Sequence, residues 1–452
     1  MKKLCMVAAA ACGVLGLITG SQSLALAQDE SRPNVLVIVT DDQRALDLDR
    51  FQPRTMEWLK DGGTTFPNAY ASTPLCCPSR ASILSGRYAH NHGVRSNGGD
   101  QEAGSEALDH STTMQRYLQE AGYRTGIVGK LLNGWDINEA PPYWDYFSIF
   151  RGGYKNRPWN INGTVQKIST YSTRFVGHRV ADFIGSAEAT DAQPWMLYVA
   201  PFAPHRPWNP ERRYADAPVE PWGGNPAARE KDRSDKPPWL RSGRCTLSCG
   251  RTIQAGQARL MMSVDDLAEK MSQKLEEFDE SNTLVIYISD NGYHWGEHRL
   301  IAKDQPYVQS SQVPLMMRWS GHTVPGLVDE RFALNIDIAP TVLEAAGIPV
   351  GTTPMDGRSL LTDSARNRVH LEHWCKMRGC DRWASTRTHA YQYIERYDAD
   401  GNVLFREYYD NVADPWQLTN LLRDGDPNNN PDITLLDAQL EPDKSCIGGT
   451  CP

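Results

Sequence analysis

The chain has 452 residues, 40% of them hydrophobic and 23% charged, and it carries a formal net charge of −8. This length and composition indicate a folded protein with a large core, not a disordered chain. The negative charge and the lack of a long lysine and arginine run argue against nucleic acid or an anionic membrane as a partner.

Residues 1–27 are predicted to be a signal peptide. Lys2 and Lys3 are followed by an apolar run, and residues 25–27 (Ala-Leu-Ala) offer the small side chains of a cleavage site. The apolar run is shorter than the about 20 residues that cross a bilayer, and no later segment has that length. We therefore expect a periplasmic, secreted or lumenal protein without a membrane span. Cys12 leaves lipidation as an alternative.

Export permits disulfide bonds, and six of the eight cysteines beyond residue 27 occur as three close pairs. The expected bonds, which sequence spacing alone does not prove, are Cys245–Cys249, Cys375–Cys380 and Cys446–Cys451. Zinc binding is the alternative for these cysteines, but no histidine completes the usual four-ligand spacing. Cys76 and Cys77 remain without an assignment.

Four short apolar runs end directly in polar, reactive residues. In chain order they are residues 34–40 before Asp41 and Asp42, 124–129 before Lys130, 194–204 before His205, and 282–289 before Asp290 and Asn291. Such runs are typical of strands buried on both faces, and helical patterns at 112–122 and 256–278 lie between them. This alternation predicts an α/β fold with a mostly parallel sheet, whose ligands bind beyond the carboxyl ends of the strands. The four reactive groups are therefore expected to converge.

The acidic residues at two of these strand ends suit a hard metal ion. Asp41, Asp42, Asp290 and Asn291 offer three carboxylates and an amide, without cysteine or histidine at ligand spacing. Such an all-oxygen set favours Ca²⁺ or Mg²⁺. The alternative is that the Asp-Asp pair merely caps the next helix, which is a common role of aspartate.

A short helix is predicted at residues 78–85, because Pro78 suits the first helical position and Gly86 suits the residue after the last turn. The N-terminus of this helix favours an anion, and Arg80 adds a positive charge. Cys76 lies just before this terminus, where it can meet both an anion and a metal. A nucleophile, an anion site and a hard cation together indicate attack on a tetrahedral oxyanion ester.

Two later regions have a different character. Residues 206–243 are rich in proline, arginine and aspartate and predict a long surface loop, whereas residues 335–348 predict a helix that closes the larger unit. Beyond it, alternating segments on both sides of Ala-Asp-Gly-Asn at 399–402 predict a β-hairpin. We expect a catalytic domain at 28–365 and a smaller C-terminal α+β subdomain with an antiparallel sheet at 366–452.

The segment Cys76-Cys77-Pro78-Ser79-Arg80, continued by Leu84-Ser85-Gly86-Arg87, resembles the signature of the formylglycine-dependent sulfatase family. Similar segments follow along the chain: VTDDQ (39–43), GKLLN (129–133), APH (203–205), SDNGYHWGEHRL (289–300), NIDIAPT (335–341) and YDNVADPWQLTNL (409–421). The doubled cysteine and the segment at 289–300 are most similar to the N-acetylglucosamine-6-sulfatase and heparan-sulfate 6-O-sulfatase branch. The resemblance implies an alkaline-phosphatase-like sandwich with a large, mostly parallel central sheet flanked by helices.

In that family the first cysteine of the signature is oxidised to formylglycine, which implies the same for Cys76 and a formylglycine-generating enzyme as maturation partner. One hydroxyl of the hydrated aldehyde attacks sulfur and the alcohol leaves; the other hydroxyl then expels sulfate by re-forming the aldehyde. An unmodified serine or cysteine would remain a stable ester. Cys77 occupies a variable position and is expected to be a small, packed side chain.

The resemblance also implies one calcium ion, with magnesium as the less expected ion. Its ligands would be the formylglycine made from Cys76, a sulfate oxygen, and the side chains of Asp41, Asp42, Asp290 and Asn291.

Further roles follow from the same motifs. Arg80 would hold the formylglycine hydrate, and Lys130 and Lys303 would bind sulfate oxygens. His205 would protonate the leaving alcohol or steady the sulfate. Many sulfatases carry a second histidine shortly after the lysine of the GK motif, whereas this chain has Asn133, which is interpreted as a neutral, substrate-binding replacement.

The sugar side of the site is expected to involve His294, for which structural hydrogen bonding is the alternative. Arg206, Trp208, Arg212 and Arg213 follow His205 and suggest a cationic, aromatic rim suited to a glycosaminoglycan end. The alternative is that these arginines form a solvated surface, where ion pairs contribute little.

The sequence therefore predicts a calcium-dependent sulfatase acting on a sulfated carbohydrate such as glucosamine 6-sulfate. The alternatives are an arylsulfatase of broad specificity, a phosphonate or phosphodiester hydrolase, and a non-catalytic binder of sulfated glycans that never receives the modification. The presence of Cys76, Lys130 and His205 together argues against the binder. His90 and His92 are expected to be a hydrogen-bonded structural pair, with metal ligation as the alternative.

Overall fold

The structure is a computed structural model that describes residues 1, 32–46, 49–98, 103–349, 355–375 and 381–452. The expected signal peptide, apart from Met1, lies outside these residues. Within the described ranges, no helix combines the length and the apolar character needed to cross a bilayer.

The longest strands of the described chain lie in the centre of the main sheet and in the C-terminal sheet. In chain order they are β1 (Asn34–Thr40), β2 (Thr64–Thr65), β3 (Ala69–Tyr70), β4 (Arg124–Lys130), β5 (Tyr146–Phe150), β6 (Arg157–Ile161), β7 (Thr164–Ile168), β8 (Trp195–Ala200), β9 (Thr283–Ser289), β10 (His294–Trp295), β11 (Ile301–Ala302), β12 (Leu315–Arg318), β13 (Leu327–Val328), β14 (Ala333–Leu334), β15 (Val369–His373), β16 (Arg382–Arg387), β17 (Tyr391–Tyr397) and β18 (Val403–Asp410).

The α-helices alternate with these strands. They are α1 (Pro53–Thr55), α2 (Cys76–Ser85), α3 (Ala89–His92), α4 (Met114–Glu120), α5 (Ser172–Glu188), α6 (Leu247–Glu277), α7 (Val308–Ser311), α8 (Ile338–Ala345) and α9 (Ile433–Asp443). Residues 206–243, which are all described, contain only short 3-10 turns, in agreement with the predicted surface loop.

The main sheet has ten strands in the order β13-β2-β12-β9-β1-β8-β4-β5-β6-β7. The five adjacent strands β9, β1, β8, β4 and β5 run parallel, whereas β12 and β6 pair antiparallel with the strands beside them. The carboxyl ends of the four strands that precede reactive residues therefore lie side by side at one edge. The expected mostly parallel sheet is confirmed.

Helices cover both faces of this sheet, which explains why its central strands are continuously apolar. In β1, Val37 packs in the same cluster as Ile83 of α2 on one face. Its neighbour Ile38 packs in the cluster of Phe183 of α5 on the other face. Successive side chains of a strand point to opposite faces, so one run of valine and isoleucine packs into the hydrophobic clusters on both faces of the sheet.

Two helices begin earlier than their sequences predict. Helix α2 starts at Cys76 instead of Pro78, because the extended residue Leu75 precedes it; the helix ends before Gly86, whose φ of 68° is left-handed as expected. Helix α6 starts at Leu247 instead of residue 256. In the first turns of α6 the buried face includes Gly250 and polar side chains. Apolar residues therefore do not recur clearly at helical spacing where the helix begins.

The smaller C-terminal part contains an antiparallel sheet in the order β15-β16-β17-β18, which confirms the predicted α+β character. The predicted hairpin is β17–β18, with Tyr397 paired to Val403 next to the turn. Helix α9 covers this sheet, since Leu436 and Leu440 pack with Tyr393. The domain boundary near residue 365 stays a prediction.

Two of the three predicted disulfides are present. Cys245 is bonded to Cys249 at the start of α6, and Cys446 is bonded to Cys451 near the C-terminus. The third predicted pair includes Cys380, which lies outside the described residues. Cys76 and Cys77 are free and buried.

Candidate active site

The four reactive groups predicted at strand ends meet at the carboxyl edge of the main sheet. Asp41 and Asp42 follow β1, Lys130 is the last residue of β4, and Asp290 follows β9. Strand β1 lies between β9 and β8, and β4 lies beside β8. His205 follows β8, so adjacent strands deliver all these side chains to one place.

The acidic residues form a connected cluster. Asp42 has a left-handed φ of 72°, and its backbone N–H donates to Oδ1 of Asp290 at 3.1 Å. Asn291 Nδ2 donates to Oδ1 of Asp42 at 2.8 Å. Gln257 of α6 donates from Nε2 to the carbonyl oxygen of Asp42 at 3.1 Å, which fixes the turn after β1 from the opposite side. All four side chains are buried, so the charges of Asp42 and Asp290 are held in a low-dielectric environment.

Arg80 connects the ends of three strands from its place on α2. Its Nε donates to Oδ2 of Asp290 at 2.8 Å, and its Nη1 donates to the carbonyl oxygen of Lys130 at 3.0 Å. Its Nη2 lies 3.6 Å from Oδ2 of Asp41. The side chain is fully buried, so α2 is held against the sheet edge by charged contacts as well as by packing.

Cys76 opens α2 at the centre of this cluster. Its Sγ lies 3.5 Å from Oδ1 of Asp41 and 2.7 Å from Nζ of Lys303. Burial raises the pKa of the Cys76 thiol to about 12, although Lys130 and Lys303 oppose the shift. An unmodified thiol would therefore be protonated at neutral pH and a weak nucleophile.

Three cationic or basic side chains surround the carboxylates. Lys130 Nζ lies 2.6 Å from Oδ2 of Asp41, Lys303 contacts Oδ1 of Asp42, and His205 Nε2 lies 3.6 Å from Oδ2 of Asp42. Burial by itself would raise the pKa of Asp41, but Lys130 and His205 lower it well below its usual range. Burial would lower the pKa of both lysines, but the aspartates raise them, so the lysines stay protonated.

The residues present fit a hard cation. Ligand atoms of Asp41, Asp42, Cys76 and His205 all lie within 4.8 Å of one another. Oδ1 of Asn291 is buried and has no hydrogen-bond partner among the described residues. A buried amide oxygen without a partner is costly, and a metal ion would satisfy it. Carboxylate and amide oxygens are the ligands that calcium prefers in proteins.

The two residues expected to contact the sugar are His294 and Asn133. His294 in β10 is 0% exposed, and burial lowers its pKa to about 3, so that it is neutral. Neither ring nitrogen of His294 has a hydrogen-bond partner among the described residues, so its expected contact with the sugar stays a prediction. Asn133 is half-buried beyond β4, and its Oδ1 is buried without a hydrogen-bond partner among the described residues.

The rim suggested after His205 is only partly available. Arg213 is paired with Glu211 and Asp266, and Trp208 packs against the ring of Tyr293. Arg213 is thus paired within the protein, whereas Arg206 and Arg212 are exposed.

Sequence reasoning missed two residues that position the site. Asn97 Oδ1 accepts the backbone N–H of Cys77 at 2.9 Å, which satisfies a free donor at the start of α2. Tyr154 donates its hydroxyl to the carbonyl oxygen of His205 at 2.5 Å. Both lie in loops far along the chain from their partners, and no local pattern in the sequence marks them.

Family models match most of the chain. The model of the sulfatase family matches residues 33–348, well over half of the chain. A second model, described as N-sulphoglucosamine sulphohydrolase, C-terminal, matches residues 296–443. The resemblance stated from the motifs is therefore confirmed.

Individual relatives agree with these models. The N-acetylglucosamine-6-sulfatase of Homo sapiens is 30% identical over an alignment that covers 97% of this chain and 88% of that protein. The extracellular sulfatase SULF-1 homolog of Drosophila melanogaster is 34% identical over 76% of this chain, which spans only 32% of the length of that relative.

A solved structure described as a complex with D-glucosamine-2-N,6-O-disulfate shares the fold. Its TM-score is 0.73 at 23% identity, and the match covers 91% of this chain and 97% of that chain. The expected alkaline-phosphatase-like architecture is confirmed by the sheet, the family match and this likeness.

Proposed function

The chain belongs to the sulfatase family, whose members are sulfuric ester hydrolases, and from that premise we propose that it removes the 6-O-sulfate from glucosamine units of sulfated glycans. The human relative that this chain matches over nearly its whole length is named for this reaction. We also propose that the protein acts after export, in the periplasm or outside the cell, because a further relative is named an extracellular sulfatase.

The observation that carries the proposal is the placement of Cys76. Its Sγ lies beside Asp41 and Lys303 at the N-terminus of α2, within one buried cluster of carboxylates and cations. After oxidation to formylglycine, residue 76 would supply a hydrated aldehyde as the nucleophile. The protonated thiol of the unmodified residue is poorly suited to that role.

Asp41, Asp42, Asp290 and Asn291 would hold one calcium ion next to residue 76. When bound, calcium supplies a fixed positive charge that favours a deprotonated hydroxyl and draws sulfate oxygens into the site. With the carboxylates bound to calcium, Lys130 and Lys303 would be available to bind sulfate oxygens.

The remaining roles follow from position and charge. Arg80 cannot move away from the sheet edge, since Asp290 and the Lys130 carbonyl hold two of its nitrogens, so it orients the side chain of residue 76. His205 is partly exposed and lies at the open side of the cluster, where the alcohol of the substrate leaves. A histidine there can donate a proton to the leaving oxygen.

A substrate panel tests this function. The enzyme is produced together with a formylglycine-generating enzyme and is assayed with N-acetylglucosamine 6-sulfate, 4-nitrophenyl sulfate and a matched 4-nitrophenyl phosphodiester. Release of sulfate is measured for the two sulfate esters, and release of 4-nitrophenol is measured for the phosphodiester. We expect the highest kcat/KM with the sugar sulfate, and no release by Cys76→Ala. Turnover of the phosphodiester or the aryl sulfate alone would contradict the proposed substrate.

A further inference from the structure

Lys303 lies in a turn whose backbone conformation is unfavourable. It follows β11, and its two neighbours, Ala302 and Asp304, have left-handed φ angles of 70° and 72°. Residues with a Cβ rarely adopt this conformation, and each loses about fivefold or more in population by doing so. Such residues persist only where surrounding contacts hold them. The contacts made by this turn therefore decide whether it forms.

The conformation of the turn determines where the Lys303 side chain ends. Its Nζ lies 2.7 Å from Sγ of Cys76 and contacts Oδ1 of Asp42. Only 10% of the side chain is exposed, so it has little freedom to compensate for a movement of its backbone. If Asp304 left the left-handed region, the backbone of Lys303 would turn and its ammonium group would move away from residue 76.

The turn is bonded on one side to the segment that leads into α2. The backbone N–H of Asp304 donates to the carbonyl oxygen of Pro74 at 3.1 Å. Pro74 lies two residues before Cys76. This bond connects the segment that carries the lysine to the segment that carries the proposed nucleophile.

The small C-terminal sheet holds the turn from another side. Trp383 in β16 donates from Nε1 to the carbonyl oxygen of Asp304 at 2.8 Å. The Trp383 side chain is 1% exposed and packs in one cluster with Leu371 of β15 and Ile394 of β17. Because neighbouring strands enclose the ring, its N–H is a fixed donor to the strained residue.

Building on the proposed function, we propose that Trp383 is a positioning residue for sulfate ester hydrolysis. Its indole N–H stabilises the left-handed conformation of Asp304. That conformation holds Lys303 beside residue 76, where the lysine binds a sulfate oxygen. The C-terminal sheet thus contributes to the reaction without touching the reacting atoms.

Two replacements of Trp383 remove the N–H. Trp383→Phe keeps an aromatic ring, and 3-benzothienylalanine at this position keeps the two-ring shape with sulfur in place of the N–H. We expect both to lower kcat/KM about tenfold, because the strained turn loses a contact that holds it. The factor should be the same for N-acetylglucosamine 6-sulfate and 4-nitrophenyl sulfate, since both present the same sulfate to Lys303.

Trp319→Phe is the matched control. Trp319 is also buried, and it donates from Nε1 to Oδ1 of Asn282 at 3.0 Å. Asn282 precedes β9, so this bond lies at the opposite edge of the main sheet from the proposed active site. We expect Trp319→Phe to leave kcat/KM unchanged.

Relief of the strain tests how Trp383 acts. Glycine adopts a φ of 72° without a steric penalty, so Asp304→Gly no longer needs the indole N–H to form the turn. The double variant Trp383→Phe/Asp304→Gly should therefore recover most of the kcat/KM that Trp383→Phe loses. A role of Trp383 in packing alone predicts no recovery, and a loss that Asp304→Gly does not reverse would overturn the proposal.

Chemical labelling of Lys303 separates this proposal from the proposed function. Acetic anhydride modifies exposed lysines faster than enclosed ones, and mass spectrometry of the tryptic peptide 300–318 measures Lys303 against the exposed Lys167. Trp383→Phe should raise the relative labelling of Lys303 about threefold or more, and Trp319→Phe should not change it.

The two proposals fail in different ways. If the wild type hydrolyses neither sulfate ester but Trp383→Phe raises the labelling of Lys303, the proposed reaction fails and the positioning role stands. If Trp383→Phe changes neither the labelling nor kcat/KM, the positioning role is overturned while the sulfatase function stands.

Discussion

His90 and Glu372 form a buried ion pair that joins α3 to the first strand of the small sheet. His90 Nδ1 lies 3.0 Å from Oε2 of Glu372, and Nε2 on the other side of the ring lies 3.0 Å from the carbonyl oxygen of Cys446. Both ring nitrogens therefore face acceptors, which favours the doubly protonated ring. His92 lies 3.1 Å from Oγ of Ser82, so both histidines are hydrogen-bonded within the protein, as predicted.

The stability of the protein should depend on pH through this pair. Burial alone would lower the pKa of His90, but Glu372 raises it above 6.5; burial would raise the pKa of Glu372, but His90 lowers it below 4.5. The raised histidine pKa gives stabilisation that is complete below pH 6.5 and is lost as pH rises through the folded-state pKa. The lowered carboxyl pKa gives stabilisation that is complete above pH 4.5 and is lost as pH falls.

We expect Glu372→Gln to lower the free energy of unfolding by about 3–5 kcal/mol near pH 5.5, as when one partner of a buried pair is removed. Near pH 8.5 the loss should be smaller, because His90 is then less protonated. Urea unfolding at both pH values measures the difference. Glu120→Gln, which removes an exposed pair with Arg116, should cost less than about 1 kcal/mol at either pH. Equal losses for Glu372→Gln at both would contradict the assignment.

Cys76, and not Cys77, should carry the modification. Trypsin releases both residues in one peptide, residues 61–80, so fragment ions between the two positions are needed to assign the change. We expect an aldehyde at position 76 that reacts with hydroxylamine. Cys76→Ala should abolish turnover while the thermal midpoint stays close to wild type.

Cys77→Ser is the matched control. Cys77 is buried, with its Sγ 3.7 Å from the carbonyl oxygen of Asn133, and serine can keep a donor at that place. Most of the activity should remain. Active enzyme in which both residues are ordinary thiols would refute the mechanism.

Calcium should bind through Asn291 as well as through the carboxylates. In chelator-treated protein, added calcium should raise the thermal midpoint, since a ligand that binds only the folded state stabilises it. Asn291→Ala removes the buried Oδ1 that has no partner and should weaken calcium binding at least about tenfold in titration calorimetry. Asn428→Ala, at an exposed site, should bind calcium like wild type. Full activity after exhaustive chelation would exclude the metal.

The sequence predicted the parts of the site that follow local rules. Apolar runs ending in Asp41, Lys130 and Asp290 indicated parallel strands, and parallel strands bring their carboxyl ends together. The start of α6 was missed because Gly250 lies on its buried face without contributing hydrophobicity. The burial of His294 depends on tertiary packing around a two-residue strand, which no period in the sequence reveals.

His205 is placed to transfer a proton to the leaving alcohol. His205 is the most exposed member of the cluster, with Nε2 3.6 Å from Oδ2 of Asp42. A sugar alcohol is a poor leaving group and needs a proton as the S–O bond breaks, whereas 4-nitrophenol leaves readily as its anion. We therefore expect His205→Gln to lower kcat about 10²–10⁴-fold for N-acetylglucosamine 6-sulfate and much less for 4-nitrophenyl sulfate.

The difference between the two substrates separates acid catalysis from a role in holding the metal or the sulfate. Loss of calcium or of a sulfate contact would slow both substrates alike, because both present the same sulfate. Calcium titration of His205→Gln checks that the neighbouring Asp42 still binds the ion. His178→Gln on the exposed side of α5 serves as the control and should not affect either substrate. If His205→Gln slows both substrates by the same factor, His205 binds sulfate instead of donating the proton.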